Sequence, residues 1–209
     1  MEVEKLYSNM EEIVTKAEAE KLSENKNISA YIGFEPSGMP HIGTALMWPK
    51  KLSELQDDIK IYVLLADWHA MINNKLGGDL GSIRKSGDLL KKSMMAEGLD
   101  KVEYIWASDV VSDPSYWETF IKTAKNTTLP RLNRALPIMG RTENDAAKDF
   151  GMYIYPIMQV TDIFHLKVDI AFGGMDQRHA HMLARDISDR LKIKKVISVH
   201  GPLLSSLKG

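Results

Sequence analysis

The 209-residue sequence contains no cysteine. Disulfide cross-links and thiolate metal sites are therefore excluded, and the composition suits a reducing compartment. No uninterrupted apolar run approaches the roughly 20 residues of a membrane-spanning helix, so no membrane partner is expected. The opening MEVEKLYSNMEEIVTKAEAEKL is charged throughout and lacks the apolar centre of a secretory signal. A cytoplasmic location is the expectation. An excess of charge of one sign is also missing: 27 Lys and Arg stand against 28 Asp and Glu, a formal net charge of −1. A polynucleotide would have to be met by a local patch, and IRKSGDLLKK and RLNRALPIMGR are the two candidate stretches. Internal repeats and low-complexity tracts are absent as well.

What is present is an alternation. Short β-rich runs at Ser29–Phe34, Lys60–Ala66, Val102–Ala107, Asp169–Phe172 and Lys195–Val199 are separated by helical patterns at Ile42–Leu55, Gly81–Ala96, Tyr116–Lys125, Pro156–Leu166 and Gln177–Leu191. IYVLLA and VISV are continuously apolar, as strands covered on both faces are. Strands alternating with helices predict an α/β fold: a doubly wound, Rossmann-like parallel sheet of about five strands with helices on both faces. Met1, Leu6, Met10, Ile13, Val14, Ala17 and Leu22 place an apolar stripe at helical spacing, which predicts an N-terminal packing helix over 1–25. Residues 125–148, basic and interrupted by Pro130, Pro137 and Gly140, break the alternation and predict an inserted helical segment.

Ligands of open α/β sheets bind outside the carboxyl ends of the strands. Two strand-to-helix junctions here carry glycine where backbone must come close to something. The first is GFEPSGMPHIGTA, with Gly33 at a strand end and Gly43 in the first helical turn. Unpaired N–H groups and the positive end of the helix dipole would favour a phosphate there, and His41 could add a donor. The second is AFGGMDQRHAHM, where Asp176 follows Gly173 and Gly174. A carboxylate after a glycine pair suits ribose hydroxyls, although a helix N-cap is the commoner role. His179 and His181 lie two apart without an acidic partner at ligand spacing, so a metal site is not expected.

In YPIMQVTDIFHL, Pro156 suits a first helical turn and puts Tyr155 beside the cap. Tyr155, Gln159 and Asp162 then fall at i, i+4 and i+7 on one face. The remainder is apolar nearly all round, so the helix is buried and its polar stripe faces partners or a ligand cavity. Asp67 and His69 follow a buried strand and share the carboxyl-end rim.

Taken together, AYIGFEPSGMPHIG, LLADWHA, YPIMQVTD, VDIAFGGMDQRHAHMLAR and VHGPLL resemble, in that order and spacing, the catalytic domain of a class I aminoacyl-tRNA synthetase, specifically the tyrosyl-tRNA synthetases of the archaeal and eukaryotic type. The resemblance runs from about Ala30 to the last residue. It implies activation of L-tyrosine with ATP and Mg²⁺, and transfer of tyrosine to the acceptor stem of its tRNA. It further implies that PHIGT matches the family's His-Ile-Gly-His signature, so that His41, Gly43 and Thr44 would form the catalytic phosphate turn, with Gly33 beside it. Tyr31 and Asp162 would bind the phenolic hydroxyl, and Tyr155, Gln159 and Gln177 the amino group. Glu35 would contact the ligand, and Leu64 and His69 would line its pocket. Gly174 and Asp176 would meet the ribose, and His200 and Leu204 the adenine. A homodimer is implied, with the inserted segment, extended to 113–148, at the interface or its Arg131, Arg134 and Arg141 toward tRNA.

Two departures qualify the resemblance. Thr44 stands where the signature has a second histidine, which predicts altered phosphate contacts rather than loss of the site. The sequence ends at LLSSLKG, where the family continues into a Lys-Met-Ser-Lys-Ser-type loop and an anticodon-binding domain, and Lys208 does not replace that loop. The readings kept beside this one are a tryptophanyl-type synthetase, a free-standing adenylating paralogue, and a non-catalytic binding module. Tyr31 paired with Asp162 favours tyrosine over tryptophan.

Overall fold

The computed structural model describes residues 1–203, so Leu204 and Lys208 lie outside the described residues. The chain opens with helix α1 (Val3–Tyr7), strand β1 (Glu12–Val14) and helix α2 (Lys16–Ser23), not the continuous helix expected over 1–25. The stripe is real, since Leu6, Ala19 and Leu22 are buried, but its continuity is cut twice. Asn9 adopts a left-handed φ of 59° just after α1. Thr15 then starts α2 with a capping box: its hydroxyl accepts from the Glu18 N–H at 3.2 Å, and the Glu18 carboxylate accepts from the Thr15 N–H at 3.1 Å.

From there the alternation follows the expected order. Strand β2 (Ser29–Phe34) leads through a π-helical turn (Gly43–Met47) into α3 (Trp48–Ser53). Strand β3 (Lys60–Leu65) is followed by α4 (Asp67–Ile72) and α5 (Leu80–Ala96). After β4 (Glu103–Trp106) come α6 (Ala107–Val110), α7 (Pro114–Lys125), α8 (Leu129–Ala135) and α9 (Glu143–Ala146), the last three making up the inserted segment. Helix α10 (Gly151–His165), strand β5 (Ile170–Gly174), helix α11 (Arg178–Leu191) and strand β6 (Ile197–Gly201) complete the fold.

The sheet has six strands in the order β1-β6-β5-β2-β3-β4. Five are parallel, as expected; β1 is the added member and pairs antiparallel with β6. Side chains alternate across it. Ala30, Ile32 and Phe34 of β2 join one core with Leu22, Leu52 and Leu90, whereas Tyr31 faces the other, with Val160 and Ile163 of α10 and Leu183 of α11. The chain leaves β2 toward β3 and β4, then returns to place β5 on the opposite side. This reversal opens a crevice between the carboxyl ends of β2 and β5.

Helix α5 packs so closely under that rim that Gly87 has no room for a methyl group. A Cβ there would sit 2.5 Å from Trp106 Cη2 and 3.3 Å from Pro36 Cγ. Gly87→Ala is therefore expected to destabilise the chain by about 1–3 kcal/mol through overpacking. Thermal denaturation checks this, and an unchanged midpoint would show that the indole ring yields freely.

Candidate functional site

The crevice is a cleft of about 690 Å³. One wall comes from the end of β2 and the turn beyond it, with Gly33, Glu35, His41, Gly43 and Thr44 on its surface. The other comes from the end of β5, with Gly173, Gly174, Asp176 and Gln177. Tyr155 of α10 closes the back, and Ile138 to Gly140 of the inserted segment overhang it. The two glycine-bearing junctions that stand far apart in sequence thus face each other.

In the first wall the Thr44 hydroxyl is occupied by the turn itself. It accepts from the His41 N–H at 3.3 Å and donates to the His41 carbonyl at 3.2 Å. Two backbone bonds, from the N–H groups of Thr44 and Ala45 to the same carbonyl at 3.0 and 2.8 Å, hold the turn independently. The His41 ring lies exposed on the rim. In the second wall Asp176 caps no helix: its carboxylate accepts from Gln177 Nε2 at 2.8 Å. Gln177 also donates to the Ile138 carbonyl at 3.1 Å and accepts from Gln159 Nε2 at 2.9 Å. These three bonds stitch α10, the β5 turn and the inserted segment together.

Behind Tyr155 and Gly33 lies a closed polar layer. Helix α10 begins at Gly151, five residues earlier than the sequence pattern suggests, and Pro156 sits inside it. The proline costs one intrahelical bond. The extra turn is retained because it buries Met152 and Tyr155. Tyr155, Gln159 and Asp162 do share one buried face. Asp162 is fully buried; Oδ1 accepts from the Tyr116 hydroxyl at 2.8 Å and Oδ2 lies 3.1 Å from His69 Nε2. That second approach is too poorly aligned for a hydrogen bond. Both ring nitrogens of His69, Asp162 Oδ2 and Gln159 Oε1 are consequently buried without a partner among the described residues.

Electrostatics in this layer centre on the Asp162 carboxylate, with Glu35 and the buried Asp67 adding to its effect on His69. Burial raises the Tyr31 hydroxyl well above its ordinary value, and Asp162 adds to the effect. Burial alone would lower the His69 imidazole, but the Asp162 carboxylate more than offsets this and holds it above its usual value. The His69 ring stands edge-on to Tyr155 with centroids 5.0 Å apart. Leu64 is buried beside Tyr31 in the same core. At Gly33 a Cβ would fall 2.6 Å from the Tyr31 hydroxyl, so only glycine lets that phenol lie against the strand end.

Two members of the site carry no sequence signal that marks them. Tyr116, at the start of the inserted segment, is fully buried and supplies the Asp162 hydrogen bond. Asn73, just after α4, is a hub. Its amide donates to both Glu35 oxygens at 3.0 and 3.2 Å and to the Met139 carbonyl at 3.2 Å. Arg141 donates to its Oδ1 and carbonyl, both at 2.9 Å, and Lys75 approaches Glu35 at 3.3 Å. Arg141 is thereby turned inward, onto Asn73. Asn73→Ala would orphan these groups and is expected to cost about 1–3 kcal/mol. Amide hydrogen exchange at Gly140 and Arg141 should then outpace exchange in α8; uniform protection would show that the hub does not hold the inserted segment.

His200 differs from its expected place at the adenine. It is fully buried beneath β6, stacked on His181, with Nδ1 2.9 Å from Glu12 Oε2. Pro202 and Leu203 occupy the cleft wall instead. The His200 side chain meets His181 of α11 and Glu12 of β1, while the chain beyond β6 carries Leu203 to the cleft.

Comparison with known proteins bears directly on this geometry. The family model described as tRNA synthetases class I (W and Y) matches residues 23–209. A curated relative, the tyrosine–tRNA ligase of Thermoplasma volcanium, is 72% identical over 209 residues, covering 100% of this chain and 63% of its own length. The crystal structure of tyrosyl-tRNA synthetase from Aeropyrum pernix superposes with a TM-score of 0.91 at 43% identity, covering 99% of this chain and 62% of that one. The L-tyrosine complex of the Pyrococcus horikoshii synthetase does so with a TM-score of 0.89 at 39% identity, covering 100% and 62%. The chain thus spans a little under two thirds of the length of the relatives it matches.

Proposed function

Because the chain belongs to the class I tRNA synthetases of the tryptophan and tyrosine group, we propose that it activates L-tyrosine with ATP and, within the whole protein, passes tyrosine to the acceptor stem of its tRNA. The observation that carries this reading is the closed layer around Asp162. A buried carboxylate, held by Tyr116 and flanked by Tyr31 and by unpaired polar atoms of His69 and Gln159, suits a ligand that brings a hydroxyl to the depth of the site. A side chain without that hydroxyl would leave these groups unpaired.

In this reading Tyr31 and Asp162 take the phenol, while Leu64 and His69 shape the pocket. Tyr155, Gln159 and Gln177, with Glu35 nearby, take the amino group. The substrate carboxylate oxygen attacks the α-phosphorus, forming the mixed anhydride as the bond to the β-phosphate oxygen breaks and pyrophosphate leaves. No side-chain nucleophile is needed; the chain's contribution is positioning and charge stabilisation. Gly33, His41, Gly43 and Thr44 face the phosphates, Gly174 and Asp176 the ribose, and Leu203 the adenine side in place of His200.

Mg²⁺ accompanying the ATP would supply neutralisation of phosphate charge. Glu35 and Asp176, the carboxylates on the cleft surface, are engaged with Asn73 and Gln177, so phosphate oxygens would hold the ion. A cytoplasmic homodimer joined through 113–148 completes the proposal. Among the described residues no helix is long and apolar enough to cross a membrane.

Tyrosine-dependent ATP–pyrophosphate exchange by the complete gene product tests the reading, with tryptophan and other amino acids in parallel. Exchange confined to tyrosine is expected. Exchange with another amino acid would transfer the proposal to that substrate, and tyrosine binding without exchange would identify a binding module. Thr44→His is expected to keep the exchange rate within about threefold or raise it, since the backbone alone holds the turn and imidazole offers a longer donor. A collapse of the rate would show that the hydroxyl is required.

A further inference from the structure

Beneath the β5 wall runs a line of side chains that the proposed chemistry does not use. Glu12 lies in β1, outside the region that the family model matches, and is directly opposite His200 in the strand register. Its carboxylate accepts from Arg178 Nε at 3.0 and 2.8 Å and lies 2.9 Å from His200 Nδ1. His200 Nε2 is in turn 3.0 Å from His181 Nδ1, and the two fully buried rings stack with centroids 5.1 Å apart.

With both rings neutral, the state that their burial favours, only one arrangement of hydrogens fits this order. A carboxylate accepts, so His200 carries its proton on Nδ1 and presents Nε2 as an acceptor. His181 must then donate from Nδ1, which leaves its Nε2 a lone pair, buried and without a partner among the described residues. The His181 ring is also wedged against the cleft wall. A Cβ at Gly173 would meet His181 Cε1 at 3.1 Å and Gln177 Cβ at 2.9 Å, so the ring and the glutamine stem, at i and i+4 where α11 begins, both close on the space beside the Gly173 backbone.

We infer that Glu12 is a positioning residue of the cleft, fixing through His200 the Nδ1–H tautomer and ring orientation of His181, and through that ring the placement of Gln177. The inference adds a member from the N-terminal strand to the site. Its consequence for ligand affinity rests on the reading of the cleft as a tyrosine site; the tautomers and the Gln177 placement do not.

Long-range proton–nitrogen NMR spectra of the imidazoles in the 209-residue chain, recorded near neutral pH, read the tautomers directly. Both rings are expected as Nδ1–H. In Glu12→Gln, which can donate as well as accept, the tautomers should become mixed. The Gln177 side-chain amide signals should shift in the ligand-free chain, and the calorimetric Kd for tyrosine should rise about tenfold. Arg178→Met removes the half-buried ion pair but leaves Glu12 on His200, and should keep both tautomers, with affinity within about twofold of the parent. If Glu12→Gln does not fold, Glu12→Asp, one methylene shorter, draws the carboxylate away from His200 and should move the Gln177 signals without imposing a donor.

An Nε2–H tautomer of His181 in the parent chain would overturn the inference. So would a Glu12→Gln chain whose Gln177 signals do not move, or an Arg178→Met chain that matches Glu12→Gln. A parent chain that shows the tautomers and the Gln177 shift but binds no tyrosine would overturn the proposed function instead.

Discussion

Replacing Asp162 with alanine is expected to weaken tyrosine binding by about 10²- to 10³-fold and to remove tyrosine-dependent exchange accordingly. The residue is fully buried, and its two oxygens face the Tyr116 hydroxyl at 2.8 Å and His69 Nε2 at 3.1 Å. Deleting one partner of such a cluster leaves the others desolvated and unpaired, which is why the cost exceeds that of an ordinary hydrogen bond. The loss should fall on ligand affinity more than on folding, since the same change relieves the burial of a charge. Asp162→Asn separates the two contributions: shape and one acceptor remain, while the charge that holds His69 up is gone. Calorimetry with tyrosine, beside a thermal melt, reads both. Tyrosine affinity within threefold of the parent would remove Asp162 from the substrate site.

Acid should destabilise the chain steeply, for a reason located beneath the other wall. Burial, with help from His200, lowers the His181 imidazole to about 3. Burial also lowers His200, although Glu12 partly opposes it. An unfolded histidine takes up its proton near pH 6.5. Between that pH and the folded value the unfolded chain therefore binds more protons, and stability falls as pH falls. The slope is up to about 1.4 kcal/mol per pH unit for each such histidine. His69 has the opposite sign, because its folded value is raised; its contribution is complete below pH 6.5 and fades only as pH rises. Glu12, held down chiefly by its bond to Arg178, adds to the acid loss at lower pH as its carboxylate protonates. Melting temperatures between pH 7.5 and 4.5 should thus drop along a slope that His181→Gln makes shallower. An identical slope in the variant would assign the loss to other groups.

How far the sequence alone carries depends on the range over which each contact acts. The strands Ser29–Phe34 and Lys60–Leu65 appear where apolar continuity puts them, because a strand buried on both faces leaves its mark in adjacent residues. The glycine junctions and the Tyr155, Gln159 and Asp162 stripe are local in the same way, and the fold brings them to one cleft and the layer behind it. What escapes local reading is partnership across the chain. Nothing near Tyr116 announces that it meets Asp162 46 positions later, and Asn73 looks like any residue after a short helix until Arg141 is seen on it. The break in the N-terminal helix had a readable cause in Thr15 and Glu18, a Thr-x-x-Glu capping box. The pairing of Glu12 with His200, 188 positions away, did not. The surroundings of His200 were hidden for that reason: its strand was legible, but the partner that its ring meets came from a segment at the other end of the chain.

The antiparallel strand β1 also bears on how copies of this chain coexist. A six-stranded open sheet has two borders, and each is a row of free peptide groups able to recruit a strand from another molecule. One border is β4, only four residues long, with Glu103 on it paired to Lys60 at 2.9 Å. The other would be β6, five residues long and buried throughout with β1 in place. Three residues of β1 cover it and stop there, short enough to offer little template themselves. The same short strand that brings Glu12 to His200 thus also covers the peptide edge of β6, so that one pairing serves both the border of the sheet and the line of side chains beneath the cleft wall.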